Sequence, residues 1–124
     1  MARILCVDDE ANIANLKCAI LEHAGHTATP ATSAREAIEL MQNQEFDAVV
    51  TDWRLGSASG HSVVMAAHRS STPVVVVSGY IGDAFQAAKP LADLYLEKPA
   101  NPEELVTIVN ELLKANERPS NLPS

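Results

Sequence analysis

The sequence predicts an α/β domain built on a parallel sheet with helices on both faces, because strand-like and helix-like stretches alternate along it five times. Two features carry that expectation. Ile4-Leu5-Cys6-Val7, Ala48-Val49-Val50-Thr51 and Pro73-Val74-Val75-Val76-Val77 are continuous apolar runs, the pattern of strands buried on both faces. Between them, apolar residues recur at helical spacing, bounded by start and stop signals.

Composition sets the limits. With 124 residues, 47% of them hydrophobic, the chain can form one domain with one substantial core. Aromatics make up only 4%, so Val, Leu, Ile and Ala must fill the interior. A formal net charge of −7 argues against direct nucleic-acid or anionic-membrane binding, which needs a positive surface. Cys6 and Cys18 lack metal-ligand spacing and read as ordinary thiols of a reducing compartment. Neither a signal peptide nor a run of ~20 apolar residues is visible, so the expected location is cytoplasmic, with no membrane contact.

The first strand, Arg3 to Val7, stops abruptly at Asp8-Asp9-Glu10. Acids favour a helix N-terminus, so one of them could cap the helix that follows. A consecutive pair is better explained by a hard divalent cation held on carboxylate oxygens. Ile13, Leu16, Ile20 and Ala24, with Leu21 beside them, predict the first helix, which Gly25 stops. Thr27 to Pro30 is a weak second strand, and Pro30 places it at an edge, where no ladder partner is lost.

Ser33-Ala34-Arg35-Glu36 reads as a capping box, with Ala34, Ala37, Ile38 and Met41 on one face of a helix ending near Gln42-Asn43. The third strand runs into Asp52. A flexible loop is expected over Gly56-Ser57-Ala58-Ser59-Gly60, then a helix that turns Val63, Val64 and Ala67 inward and fades at Ser70-Ser71. The Val-rich fourth strand ends at Ser78-Gly79. A helix over Asp83 to Leu91 is truncated or kinked by Pro90. Asp93 to Glu97 forms the fifth strand, ending at Lys98-Pro99. Asn101-Pro102-Glu103-Glu104 starts a last helix with Leu105, Ile108, Val109, Leu112 and Leu113 as its stripe. Residues 1–116 form the domain, and 117–124 a frayed tail.

In a parallel sheet the carboxyl ends of all strands share one edge. Asp8, Asp9, Asp52, Ser78 and Lys98 therefore converge, although each alone has an ordinary explanation such as a turn, a cap or a surface charge. Three carboxylates in one pocket repel, and Mg²⁺ relieves that repulsion with oxygen ligands. A carboxylate can also attack phosphorus to form an aspartyl phosphate. Asp52 fits as nucleophile and Asp8 and Asp9 as metal ligands. Lys98 and the Ser78 hydroxyl fit as neutralising donors for the phosphoryl oxygens.

These residues resemble the receiver domain of two-component response regulators. The resemblance rests on Val7-Asp8-Asp9-Glu10, Asp52, Gly60, Val77-Ser78-Gly79 and Tyr95-Leu96-Glu97-Lys98-Pro99, and covers residues 3 to about 116. It implies a flavodoxin-like (βα)5 three-layer sandwich with a five-stranded parallel sheet in the order 2-1-3-4-5. It also implies Mg²⁺-dependent transfer of a phosphoryl group to Asp52 from a histidine kinase or phosphotransfer domain. By the same resemblance, the backbone carbonyl of Arg54 binds the metal, and Lys98-Pro99 is a cis peptide. Ser78 and Tyr95 form the switch that re-shapes a face for an unidentified downstream protein. Such a domain is not a conventional enzyme, though it catalyses phosphorylation and dephosphorylation of its own Asp52. The chain departs from the family pattern at Gly56, where a proline is usual, and in a shortened Ser78-to-Lys98 spacing.

Two other chemistries fit less well. A haloacid-dehalogenase-like phosphatase needs an acid two residues after its nucleophile, and Arg54 stands there. A flavodoxin-like cofactor binder needs a phosphate-cradling loop after the first strand, where Asp8-Asp9-Glu10 repels phosphate. Both a free-standing regulator and a piece of a larger one are compatible with the sequence.

Overall fold

The computed structural model describes residues 2–55, 58–78, 94–97 and 101–115. In chain order its elements are β1 (Arg3–Val7), α1 (Ala11–His23), β2 (Thr27–Ala31), α2 (Ala34–Asn43), β3 (Ala48–Asp52), β4 (Arg54–Leu55), β5 (Ala58–Ser59), α3 (His61–Arg69), β6 (Val74–Ser78), β7 (Leu94–Glu97) and α4 (Pro102–Ala115). The main sheet has five strands in the order β2-β1-β3-β6-β7, and every neighbouring pair is parallel. The short β4 and β5 form a separate antiparallel pair. The expected helix over Asp83 to Leu91, the Lys98-Pro99 bond and the tail 117–124 lie outside the described residues.

The strands are buried on both sides, and their two-residue period splits the interior into two cores. Leu5, Val7, Val49, Val74 and Val76 point to one side, where Ala37 of α2 and Val63, Val64 and Ala67 of α3 cover them. Ile4, Cys6, Ala48, Val50, Val75 and Val77 point to the other, beneath Cys18 and Leu21 of α1 and Leu105, Val109 and Leu112 of α4. Such a sheet has no solvated face on which to place a charge. Polar chemistry is confined to strand ends. As the proline predicted, β2 is an edge strand, with Pro30 exposed.

Local signals hold in most places. The last turn of α1 closes as a Schellman motif: Gly25 N–H donates to the Glu22 carbonyl and His26 N–H to that of Leu21, both at 3.0 Å. The left-handed φ of +102° at Gly25 makes glycine the natural residue there. A reciprocal capping box starts α4, where Asn101 Oδ1 accepts from Glu104 N–H at 2.8 Å and Glu104 Oε1 from Asn101 N–H at 3.1 Å.

Three expectations need correction. The buried line of α1 is Ala14, Cys18 and Leu21, whereas Leu16 is 55% exposed and Ala24 is an exposed C-cap. At about 100° per residue, Leu16 lies roughly 200° from both Ala14 and Cys18. The small side chains at 14 and 18 permit the closest approach to the sheet and so decide the rotation of the helix. At α2, Ser33 Oγ accepts from Glu36 N–H at 3.1 Å, but the Glu36 carboxylate reaches Thr32 N–H at 2.7 Å, one residue earlier than a capping box requires. The expected flexible loop after Asp52 instead contains Ala58–Ser59 paired with Arg54–Leu55, while Gly56 and Ser57 lie outside the described residues.

The revised rotation of α1 separates two leucines by cost. Leu21→Ala should lower the unfolding free energy by about 2–5 kcal/mol. Leu16→Ala should change it by less than about 0.5 kcal/mol. Urea denaturation of the two variants measures both, and equal losses would contradict the rotation.

Candidate functional site

The sheet register assembles the site. Val7 of β1 lies opposite Thr51 of β3, and Thr51 opposite Val76 of β6. The next step along each strand brings Asp8 and Asp52 to one level, with Asp52 opposite Val77. Beyond the strand ends, Asp8 N–H donates to the Ala31 carbonyl and Trp53 N–H to that of Val77, both at 3.0 Å, so the backbone stays registered through the acids. Asp8 is in phase with Ile4 and Cys6, and Asp52 with Ala48 and Val50. All four of those apolar residues face the α1–α4 core. The two carboxylates therefore belong to the same side of the sheet.

Asp8 and Asp52 are 2% and 5% exposed, and Asp9 is exposed. One carboxylate oxygen from each of the three lies within 4.8 Å of the others. Capping does not account for this cluster. The N-cap of α1 is Glu10, its side chain makes no capping bond, and the first turn carries no acid. Asp8 Oδ1 accepts from Glu10 N–H at 3.0 Å, which orients the carboxylate rather than caps the helix. Oxygens around an octahedral Mg²⁺ sit at about 2.0–2.1 Å from the ion, and so roughly 3–4 Å from one another. The spacing, the all-oxygen donor set and the buried like charges fit that ion.

One residue of the site escaped the sequence reading. Lys17 Nζ lies 3.2 Å from Asp8 Oδ2, with the lysine side chain 12% exposed. It stands between Ile13 and Ile20 on a half-buried stripe of α1. The signal was present as a single cation at the middle of an apolar helical repeat.

Gly60, expected as the end of a flexible loop and as part of the family resemblance, has a steric reason to be glycine. A Cβ at this position would stand 2.5 Å from the Asp52 carbonyl oxygen and 3.2 Å from Trp53 Cα. Gly60 N–H also donates to the Trp53 carbonyl. Trp53 packs against the α2–α3 core and meets His61 edge-on, with ring centroids 6.3 Å apart. Ser78 is 5% exposed at the end of β6, opposite Glu97 of β7. Tyr95 is paired through its backbone with Val76, and Arg54 with Ser59. Lys98 and Pro99 lie outside the described residues.

Away from the site, Cys6 and Cys18 are both buried and unbridged. A hydrogen bond with Cys18, reinforced by burial, holds the Cys6 thiol well above its ordinary range. The same bond lowers that of Cys18. The expectation of two ordinary buried thiols fits this pair.

The sequence profile of the response regulator receiver domain matches residues 4–110. The chain belongs to this family. Response regulator SaeR of Staphylococcus aureus is 32% identical over 117 residues, which are 91% of this chain and 51% of that protein. The chain thus spans about half the length of the curated relatives it matches. Among solved structures, the Vibrio cholerae chemotaxis protein CheY4 superposes with a TM-score of 0.83 at 29% identity, covering 90% of this chain and 98% of that one. A CheY-like receiver domain protein of Methanospirillum hungatei gives 0.84 at 29% identity, covering 93% and 95%. The chain is therefore a receiver domain of two-component signalling with the flavodoxin-like α/β fold. Among the described residues, no helix is long and apolar enough to cross a membrane.

The contact at Gly60 yields a direct test. Gly60→Ala should cost about 1–3 kcal/mol, because the Cβ can be accommodated only by moving the backbone that carries Asp52. Thermal denaturation measures the loss. A variant as stable as the native chain would show that the loop shifts freely.

Proposed function

We propose that Asp52 is the phosphoacceptor of this receiver domain and that Asp8, Asp9, Asp52 and the Arg54 carbonyl hold Mg²⁺. The convergence of Asp8, Asp9 and Asp52 carboxylate oxygens within 4.8 Å at the carboxyl edge of the sheet carries this reading. In the reaction, an Asp52 carboxylate oxygen attacks the phosphorus of a phosphohistidine on a histidine kinase or phosphotransfer domain. The new O–P bond forms as the P–N bond breaks, and the histidine, already protonated on its other ring nitrogen, leaves as the neutral imidazole. Mg²⁺, when bound, offsets negative charge on the carboxylates and the phosphoryl oxygens. Burial of Asp52 limits access of water to the acyl phosphate.

Ser78 and Lys98 serve the phosphoryl oxygens as hydroxyl and ammonium donors. The reading includes a cis peptide between Lys98 and Pro99. Ser78 ends a strand whose neighbour carries Tyr95, opposite Val76. A new dianion that draws the Ser78 hydroxyl toward it vacates space for the Tyr95 ring, and the altered surface is read by a downstream protein. The chain accelerates its own phosphorylation and dephosphorylation and turns over no other substrate. The acidic sequence and the absence of a candidate membrane span among the described residues support a cytoplasmic protein that acts through protein partners rather than nucleic acid.

Incubation with a small acyl-phosphate donor and Mg²⁺ tests the assignment by intact mass. The native chain should gain one phosphoryl group, lost on adding a chelator beforehand and absent in Asp52→Asn. Equal labelling of the variant would refute Asp52 as acceptor. Ser78→Ala should still be labelled but should leave the Tyr95 environment unchanged on beryllofluoride binding, as read by NMR. A Tyr95 response equal to the native one would remove Ser78 from the switch.

A further inference from the structure

Both oxygens of Asp8 already have partners within the chain. Oδ1 accepts from the Glu10 amide at 3.0 Å, and Oδ2 lies 3.2 Å from the Lys17 ammonium. Neither partner is a surface accident. Lys17 is carried in by the same stripe of α1 that holds Ile13 and Ile20, and its side chain is 12% exposed against 3% for that of Asp8. An ammonium and a dication on one carboxylate repel each other. The site gains less from Mg²⁺ when Lys17 is in place than it would without it.

We propose that Lys17 is the resident counter-ion of Asp8 and opposes Mg²⁺ there, so that it sets the metal concentration at which the site loads. The inference rests on the Mg²⁺ reading above and adds a residue that the reading does not use. Lys17 has somewhere to go. A cavity of about 360 Å³ opens beside Asp8 and Lys17, walled by Ile13 and Leu16 of α1 and by Pro102 and Leu105 of α4. The flexible lysine stem can keep its methylenes on this apolar wall while the ammonium turns away from the carboxylate. Linkage then requires reciprocity: whatever Lys17 costs Mg²⁺, Mg²⁺ costs the Lys17–Asp8 pair.

The sequence holds one tryptophan, Trp53, directly after Asp52, so its fluorescence reports metal binding without any phosphoryl transfer. Mg²⁺ titrations of Lys17→Met and Lys17→Gln, checked by calorimetry, should give dissociation constants at least about fivefold below the native value. Lys17→Arg, which keeps the charge, should stay near native. In the absence of Mg²⁺ the Met and Gln variants should melt below the native chain, and their melting temperatures should rise more than the native one on adding Mg²⁺. A lysine that served packing alone would lower stability without tightening metal binding. Unchanged or weaker Mg²⁺ binding by a folded Met or Gln variant overturns the proposal, and Gln carries the test if Met does not fold. A native chain that binds no Mg²⁺, or binds it equally well as Asp9→Asn, overturns the metal reading itself and the proposal with it.

Discussion

Three carboxylates held within 4.8 Å of one another, two of them buried, repel across a region that water screens poorly. The mutual repulsion of Asp8, Asp9 and Asp52 opposes that arrangement. The sheet imposes it. Paired strands fix Val7 against Thr51 and Thr51 against Val76, and the amides of Asp8 and Trp53 extend the pairing past the last apolar residues. The free energy that holds the acids together comes from apolar burial elsewhere, in Ile4, Leu5, Val49, Val50, Val75 and Val76, each fully inaccessible to solvent. A cluster so enforced concentrates negative charge at one place, and that concentration is what a metal-dependent site requires.

The same sheet explains where the acids can stand. Both faces are covered, α2 and α3 on one side and α1 and α4 on the other, so an ionised group in mid-strand would have neither solvent nor partner. At the carboxyl edge the chain leaves the sheet and the burden eases. Alternation then decides which helix each acid meets. Asp8 follows the phase of Ile4 and Cys6 into the α1 side, and so the residue that reaches it comes from α1 rather than from α2 or α3. Gly60 makes a complementary demand from the opposite direction. The chain returning from β5 crosses so near the Asp52 carbonyl that there is no room for a Cβ. The segment that carries Asp52 is thus confined by its own backbone neighbours.

The legibility of the sequence follows from the range of each interaction. Continuous runs such as Val74 to Val77 identify strands because burial on both faces admits only apolar residues, and Pro30 marks an edge because it removes a ladder donor. These are constraints a residue states about itself. Asp8, Asp9, Asp52 and Ser78 were legible as a set because a parallel sheet puts every strand end on one side, with no need to know any distance. The rotation of α1 was not legible. Its apolar residues offer two faces, and the choice depends on how closely Ala14 and Cys18 approach the sheet, a property of the packed pair. Lys17 was missed for the same reason: with Leu16 placed inward, the stripe of Ile13 and Ile20 loses its meaning and the lysine reads as a solvated charge. The separate β4–β5 pair was hidden because two-residue strands leave no periodicity to detect.

Charge accounting ties the acids to the helix that covers them. Counting only the three carboxylates, Lys17 and the ion, one dication and one ammonium cancel the formal charges, and a loaded site that lacks Lys17 keeps one more negative charge. The second site attracts Mg²⁺ more strongly, but it also enters the metal-free state with a buried Asp8 deprived of its partner. Stability of the empty site and affinity of the loaded one therefore pull against each other at residue 17. An aspartyl phosphate carries more negative charge than the carboxylate it replaces. A phosphoryl group on Asp52 would add to the demand for cations, and Lys98, which follows β7 in the sequence, is the residue proposed to meet it. On the proposals above, Lys17 bears on the state before the reaction and Lys98 on the state after it, each cation matched to a different charge of the same aspartate cluster.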